Sequence, residues 1–237
     1  MTTLLLVRHG LTAMTGPVLA GWTPGVRLDD RGRAQAAAVA ARLASLPLAA
    51  VVSSPLERCA ETAAAIAAAR TPPVEKVETD ERFGEVRYGD WTGRPLKELA
   101  EEPLWRVVQA HPSAARFPGE DGESLAAAQH RAVTAVRDWN DRVAAEHGPG
   151  ALYAVCSHGD IIKAVVADAL GLHLDQFQRI QADPASLTAI RYTETRPFVL
   201  RLNDTGGDTA GLVPPPPEED SGKDGLGSSD APVGGGA

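Results

Sequence analysis

Two histidines each stand one residue after a run of apolar residues, and each is followed by a glycine. His9 lies in Leu4-Leu5-Leu6-Val7-Arg8-His9-Gly10, and His158 lies at the end of a similar run that begins at residue 151. A neutral imidazole is a competent nucleophile, and a covalent intermediate divides one displacement into two easier steps. Glycine beside the histidine lets the backbone and a substrate approach closely. We predict that His9 is a nucleophile that accepts a phosphoryl group.

Arginines and helix starts surround these histidines with groups that favour an anion. Arg8 precedes the first histidine, and Arg58 follows a third apolar run that ends in Ser53-Ser54-Pro55. The guanidinium fork matches phosphoryl oxygens, and the N-terminal amides of a helix attract anions. In open α/β sheets, ligands bind at the edge where the carboxyl ends of the strands meet. The pattern therefore predicts a phosphate site at that edge.

Alternating apolar strands and alanine-rich helices must position these groups. Helices are predicted from Asp29 or Asp30 to Leu46, from Pro55 to Arg70 with Ser54 as N-cap, over roughly 122–147, and over 161–170. Strands are predicted at 4–7, 49–53, 74–77, 151–156, 186–192 and 198–202. This alternation is typical of an α/β fold with a parallel sheet and right-handed crossovers. The last two strands are predicted to form an antiparallel pair at the edge.

Residues 78–122 depart from this alternation. Aromatic residues, glycines and prolines crowd together there, and only two short helices are predicted, at 95–102 and 103–110. We interpret the segment as an insertion that covers the crevice. The irregular stretch 11–28 is predicted to be a loop, and a loop of that length in a compact domain is usually functional.

The negative charge of the chain is concentrated at its C-terminal end. The formal charge is −8, and residues 203–237 hold seven of the 31 acidic residues and one of the 23 basic ones, which leaves −2 for residues 1–202. No basic excess indicates a nucleic-acid partner. The segment 203–237 is rich in glycine and proline and lacks aromatic residues, so we predict a disordered acidic tail after a domain of residues 1–202.

Cysteine content and hydropathy indicate a cytoplasmic location. Cys59 and Cys156 are the two cysteines, and they lie far apart in the sequence, which argues against a disulfide framework. The four apolar residues before Arg8 are too few for a signal peptide, and no run approaches the ~18 apolar residues of a membrane span. No membrane partner is expected. The sequence leaves the oligomeric state open, with a homodimer as one possibility.

Several blocks together resemble the histidine phosphatase superfamily, which includes the cofactor-dependent phosphoglycerate mutases. The resemblance covers residues 1 to about 202 and implies a three-layer α/β/α sandwich with a mostly parallel central sheet. The blocks that carry it are residues 6–10, Gly21-Trp22, residues 28–36, residues 53–62, residues 83–93, and Ser157-His158-Gly159-Asp160.

The resemblance implies a role for each site residue. His9 becomes phosphohistidine, while Arg8, Arg58 and His158 hold the phosphoryl oxygens. Glu85 is the general acid that protonates the leaving oxygen and then takes a proton from water; Asp90 remains an alternative for this role, and Glu78 and Glu81 lie nearby. The remaining implied substrate-binding residues are Thr15, Gly21, Tyr88 and Gly159. No metal or cofactor is implied, because arginines supply the positive charge.

Three departures from the mutase pattern favour a phosphatase that acts on a small phosphomonoester. Thr15 stands where the mutases have asparagine, Trp105-Arg106 stands in place of an adjacent arginine pair, and Asp160 would oppose a second phosphate. Tyr88 does match the mutases, so a phosphomutase with a bisphosphorylated intermediate is the alternative. A binding protein without catalysis is the third hypothesis, and the intact set of His9, Arg8, Arg58, Glu85 and His158 argues against it.

Overall fold

A six-stranded mixed sheet forms the centre of the molecule. The computed structural model describes residues 1–72, 74 and 76–207. The strands are β1 (Thr2–Arg8), β2 (Leu48–Ser53), β3 (Glu78–Thr79), β4 (Ala151–Ser157), β5 (Leu187–Tyr192) and β6 (Pro197–Asp204). Their order is β3-β2-β4-β1-β5-β6. The first four in this order are parallel, whereas β5 is antiparallel to both β1 and β6.

Helices cover both faces of the sheet. The helices are α1 (Asp30–Leu43), α2 (Glu57–Ala68), α3 (Leu96–Leu99), α4 (Pro103–Ala110), α5 (Leu125–His147) and α6 (Gly159–Ala169). Alternate residues of β1 point to opposite sides: Leu4 and Leu6 join the apolar cluster of α5 and α6, while Leu5 and Val7 join that of α1 and α2. The prediction of a mostly parallel sheet between helical layers is confirmed.

The third strand is shorter and later than predicted. The sequence places it at 74–77, but the pairing is between Val52 and Glu78 and between Ser53 and Thr79. The N–H of Val74 still donates to the carbonyl oxygen of Ala67 in α2, at 3.2 Å. The chain is therefore still turning back over that helix at residue 74 and reaches the sheet edge only at 78.

The edge pair β5 and β6 runs beyond the predicted end of the domain. Asn203 and Asp204 belong to β6, and the side chain of Asp204 pairs with Arg42 of α1 at 2.7 Å. The folded segment thus extends past the predicted boundary at residue 202. The rest of the predicted tail, 208–237, lies outside the described residues. No helix in the described part of the chain is both long and apolar enough to cross a membrane.

Candidate active site

Three parallel strands end at the same level and deliver the polar residues to one edge. In the sheet register Arg8 lies opposite Ser157, and Ser53 lies opposite Cys156. Backbone hydrogen bonds continue one residue further, because the N–H of His9 donates to the carbonyl oxygen of Ser157 at 3.0 Å. The segments that follow β1, β2 and β4 therefore converge, as the strand-end pattern of the sequence predicts.

The ring of His9 presents an unprotonated nitrogen. Its Nδ1 lies 2.8 Å from the carbonyl oxygen of Gly10, which can only accept, so Nδ1 carries the hydrogen. Its Nε2 accepts from Nε of Arg58 at 3.2 Å. Burial lowers the pKa of His9 well below its usual value, and the charges of Arg58 and Arg8 act in the same direction. The imidazole is therefore neutral, and the lone pair of Nε2, which accepts from Arg58 in this structure, is the one that can attack phosphorus once that hydrogen bond is released.

Arg58 links the two histidines through one guanidinium group. Besides its bond to His9, its Nη2 donates to the carbonyl oxygen of Gly21 at 2.8 Å and to Nδ1 of His158 at 3.2 Å. Its Nη1 is buried and has no hydrogen-bond partner among the described residues. A buried donor without a partner is costly, so an anion that accepts from Nη1 would be stabilised there.

His158 lies behind Arg58, fully buried, with its ring 5.2 Å from that of His9. Because arginine only donates, Nδ1 of His158 is an acceptor, and Nε2 donates to the hydroxyl of Ser54 at 2.7 Å. The hydroxyl of Ser54 also accepts from the N–H of Leu56 at 3.3 Å, as expected of a residue at a helix start. Helix α2 itself begins two residues later than predicted, at Glu57.

A small cavity opens between these groups and the insertion. Its volume is about 40 Å³. Its cationic lining consists of Arg8 and Arg58, and His9 and Glu85 reach it as well. Arg8 is itself fixed by a hydrogen bond from Nη1 to the carbonyl oxygen of Ala182 at 2.8 Å.

Glu85 contributes to this cavity a carboxyl group with a raised pKa. The residue is 4% exposed, and its Oε1 accepts from the N–H of Val86 at 2.9 Å. Burial raises the pKa of Glu85 to about 7, and the charge of Asp160 contributes in the same direction. Near neutral pH this group can therefore give or take a proton. By contrast, Asp90 and Glu81 are exposed and do not line the cavity.

The other predicted substrate-binding residues divide into two groups. Thr15, Gly21 and Tyr88 line the cavity. Gly159 does not, because it is the buried first residue of α6, and His158 before it is likewise not part of the lining. Burial raises the pKa of Cys59 to about 12, so this thiol beside His158 stays protonated and is not a nucleophile.

Asp160 is not exposed toward the cavity as the mutase argument requires. Its Oδ1 lies 3.3 Å from Nζ of Lys163, and its Oδ2 accepts from the hydroxyl of Tyr88 at 2.9 Å. Both charged residues of the pair are buried. The sequence argument counts only the charge of Asp160, whereas the structure places the ammonium group of Lys163 beside that charge.

We expect Lys163→Met to lower the free energy of unfolding by about 3–5 kcal/mol, because it removes a buried cation that contacts the buried carboxylate of Asp160. The double variant Asp160→Asn/Lys163→Met should recover most of this loss. Urea unfolding measures both, and Lys97→Met, at an exposed lysine on α3, is the matched control. If Lys163→Met lowers the free energy of unfolding no more than Lys97→Met does, the stabilising role of the Asp160–Lys163 pair is contradicted.

Four residues that contact the site were missed by sequence reasoning. Ser54 bonds His158, and Trp22, Glu123 and Arg131 contact the loop that carries Glu85. Trp22 lies in a stretch that indicates only the resemblance, Glu123 lies at the start of the predicted helix 122–147, and Ser54 has the pattern of a helix cap. Arg131 lies inside a long helix, where no local signal distinguishes it from a solvated arginine.

Comparison with known proteins agrees with this geometry. The model of the histidine phosphatase superfamily (branch 1) matches residues 4–205. Phosphoserine phosphatase 1 of Hydrogenobacter thermophilus is 32% identical over 221 residues, which cover 86% of this chain and 93% of that protein. The 2,3-bisphosphoglycerate-dependent phosphoglycerate mutase 2 of Gloeobacter violaceus is 29% identical over 184 residues, covering 77% and 82%. A solved structure of phosphoserine phosphatase from Entamoeba histolytica in complex with 3-phosphoglyceric acid matches with a TM-score of 0.74 at 25% identity, covering 87% of this chain and 98% of that one.

Proposed function

Because the chain belongs to branch 1 of the histidine phosphatase superfamily, we propose that it hydrolyses a small phosphomonoester through a phosphohistidine at His9. One observation carries the proposal: the unprotonated Nε2 of His9 lies against Arg58, beside a cavity that Arg8 and the protonatable Glu85 also line. These are the groups that a covalent phosphoryl transfer requires.

In the first step Nε2 of His9 attacks phosphorus, the P–N bond forms, and the P–O bond to the alcohol breaks. Glu85 in its acid form gives its proton to the departing oxygen, so that a neutral alcohol leaves. Arg8 and Arg58 offset the charge on the phosphoryl oxygens during transfer. His158, which accepts from Arg58, holds that guanidinium in place.

In the second step water attacks the phosphohistidine. The carboxylate of Glu85, left by the first step, takes a proton from the water as the new P–O bond forms. The P–N bond then breaks, inorganic phosphate is released, and His9 and Glu85 return to their starting protonation states. A carboxyl with a pKa near 7 suits this alternation between acid and base.

The cavity supports hydrolysis over a mutase reaction. Among the described residues that line it, Arg8 and Arg58 supply the positive charge, and the rest of the wall combines the aliphatic residues Val18, Leu19, Ala20 and Leu96 with polar residues such as Thr12 and Thr15. Arg106, which stands near the position of the arginine pair of the mutases, is exposed on α4 and does not line the cavity. A second phosphoryl group therefore has no cationic partner in the lining.

The decisive experiment follows 3-phosphoglycerate with and without 2,3-bisphosphoglycerate, and quantifies 2-phosphoglycerate and inorganic phosphate by ³¹P NMR. We expect phosphate release from at least one member of a phosphomonoester panel, and no 2-phosphoglycerate that depends on the bisphosphate. The His9→Ala variant, purified in the same way, gives the phosphate release that is due to contaminating enzymes, and this value is subtracted. Bisphosphate-dependent formation of 2-phosphoglycerate would replace the phosphatase proposal by the mutase.

A cytoplasmic location is part of the proposal. Cys59 and Cys156 are both buried and both free thiols, which is the state that a reducing compartment maintains. Fractionation of cells that express the full chain, followed by immunodetection, tests this location directly.

A further inference from the structure

Arg131, in the second turn of α5, directs its guanidinium group at the backbone of the loop that carries Glu85. Nη1 donates to the carbonyl oxygens of Arg82 and Gly84 at 2.7 and 2.9 Å, and Nη2 donates to that of Glu85 at 2.9 Å. The other two donors go to Glu123: Nε to Oε2 at 3.1 Å and Nη2 to Oε1 at 2.6 Å. All five N–H groups of the guanidinium are thus used.

Glu123 binds the same loop from its other end. Its Oε1 accepts from the N–H of Arg87 at 2.9 Å, and its own N–H donates to the carbonyl oxygen of Arg87 at 2.9 Å. The carbonyl oxygen of Glu85 also accepts from Nε1 of Trp22 at 2.6 Å. Residues from the loop after β1 and from α5 therefore hold both sides of the short segment in which Glu85 lies.

The contacts of Arg131 differ from those of a surface ion pair. Three of its five N–H groups donate to backbone carbonyl oxygens of one irregular loop. Its side chain is also only 21% exposed. The carboxyl of Glu85 is hydrogen-bonded by its neighbour Val86 within that loop, so the position of the carboxyl follows the position of the backbone. A lysine could not reproduce this pattern, because its three donors diverge from a single point.

We propose that Arg131, held by Glu123, is a positioning residue that fixes the carboxyl of Glu85 for proton transfer to the leaving group. The inference rests on the proposed function, since it assumes that Glu85 is the acid. It adds that the acid is kept in place by a helix that contributes no residue to the lining of the cavity. A displacement of a catalytic group by about 1 Å can cost about 100-fold in rate.

The test compares two leaving groups. An alkyl phosphate needs a proton on its departing oxygen, whereas p-nitrophenolate leaves without one. We expect Arg131→Met to lower kcat/KM by about 100-fold for the alkyl phosphate that the wild type hydrolyses fastest. The loss for p-nitrophenyl phosphate should be much smaller. The ratio kcat/KM is used because it reports the steps up to release of the alcohol and not the later attack of water.

Two further variants separate positioning from general damage to the fold. Arg142→Met removes an arginine on the same helix that pairs with Glu78 and Glu146, and it should leave both substrates unaffected. The double variant Glu85→Gln/Arg131→Met should lose no more activity on the alkyl phosphate than Glu85→Gln alone, since both changes remove the same proton transfer. Should Arg131→Met fail to fold, Arg131→Lys and Glu123→Gln allow the two substrates to be compared in variants that change the side chains less.

The possible outcomes separate the positioning role of Arg131 from the proposed phosphatase mechanism. Equal losses on both substrates, or losses that multiply in the double variant, would overturn the positioning role and leave a purely structural one. If Glu85→Gln discriminates between the leaving groups and Arg131→Met does not, the positioning inference fails and the phosphatase mechanism stands. If His9→Ala retains wild-type activity, the proposed function itself fails.

Discussion

Replacing His9 by alanine is expected to lower kcat/KM for p-nitrophenyl phosphate by at least about 10⁴-fold, the range found when the nucleophile of a covalent enzyme is removed. The cause is the loss of Nε2, which accepts from Arg58 in the resting protein and would carry the phosphoryl group. Phosphate release in a continuous assay gives the magnitude. Mass spectrometry after alkaline quenching should find phosphohistidine in the wild type and none in the variant.

His130→Ala is the matched control for this experiment, because His130 is exposed on α5. It should retain wild-type activity and labelling. Equal activity of His9→Ala and the wild type would end the covalent mechanism. Recovery of a phosphorylated peptide that contains His158 instead would assign the nucleophile to the second histidine, against the geometry in which His158 is enclosed by Arg58 and Ser54.

Glu85→Gln is expected to lower kcat/KM for alkyl phosphates by about 10²- to 10⁴-fold, the usual contribution of a positioned general acid. Glutamine keeps the shape of the side chain but has no proton to give. With a pKa of about 7, Glu85 is the acid below that pH and the carboxylate above it. The wild-type rate on alkyl phosphates should therefore fall as pH rises through about 7. This decrease should be absent from the pH profile of Glu85→Gln.

Comparison of the two proteins at each pH removes the ionisation of the substrate from the profile. Both histidines have a lowered pKa, caused first by burial, so no loss from their protonation is expected near pH 6.5. Activity on alkyl phosphates should consequently be highest on the acidic side of neutrality. An alkaline limb that persists in Glu85→Gln would show that another group supplies the proton.

The Glu85→Gln variant should be more stable than the wild type at pH 8. The pKa of Glu85 is raised in the folded protein, to about 7 from the usual 4.5, so the folded state holds a proton that the unfolded state releases. This contribution to stability is full below about pH 4.5 and is lost as pH rises through 7. The shift corresponds to about 3 kcal/mol. Urea unfolding at pH 5 and pH 8 measures the difference, which should appear at the higher pH.

The parts of the structure that follow from local pattern were predictable from the sequence. Apolar runs followed by Arg-His-Gly, Ser-Ser-Pro and Ser-His-Gly indicated strands that end at one edge, and the register of β1, β2 and β4 places them there. The antiparallel pair at the edge and the start of α1 at Asp30, capped by Asp29, also followed from local signals.

The parts that depend on contacts between distant segments were not predictable. Ser54 has the signature of a helix cap and accepts from the N–H of Leu56, but nothing local indicates its second bond, to a histidine 104 residues away. The charge of Asp160 suggested repulsion of a phosphate, but the sequence did not show that Lys163, one turn along α6, contacts it inside the core. Arg131 could not be distinguished from a surface arginine, because the backbone carbonyl groups that it binds lie 46 to 49 residues earlier. Local propensity carries no information about such pairs.

The nucleophile and the acid are carried by separate pieces of the chain. His9 and Arg58 belong to the sheet edge and α2, whereas Glu85 belongs to the insertion, where the N–H of Gly93 donates to the carbonyl oxygen of Leu19 at 2.7 Å to close the outer wall. Phosphoryl transfer thus depends on both pieces, whereas the aliphatic lining residues Val18, Leu19 and Leu96 have no part in it. Descendants of such a chain can therefore change the alcohol that they accept at these aliphatic positions alone, while His9, Arg58 and Glu85 stay as they are.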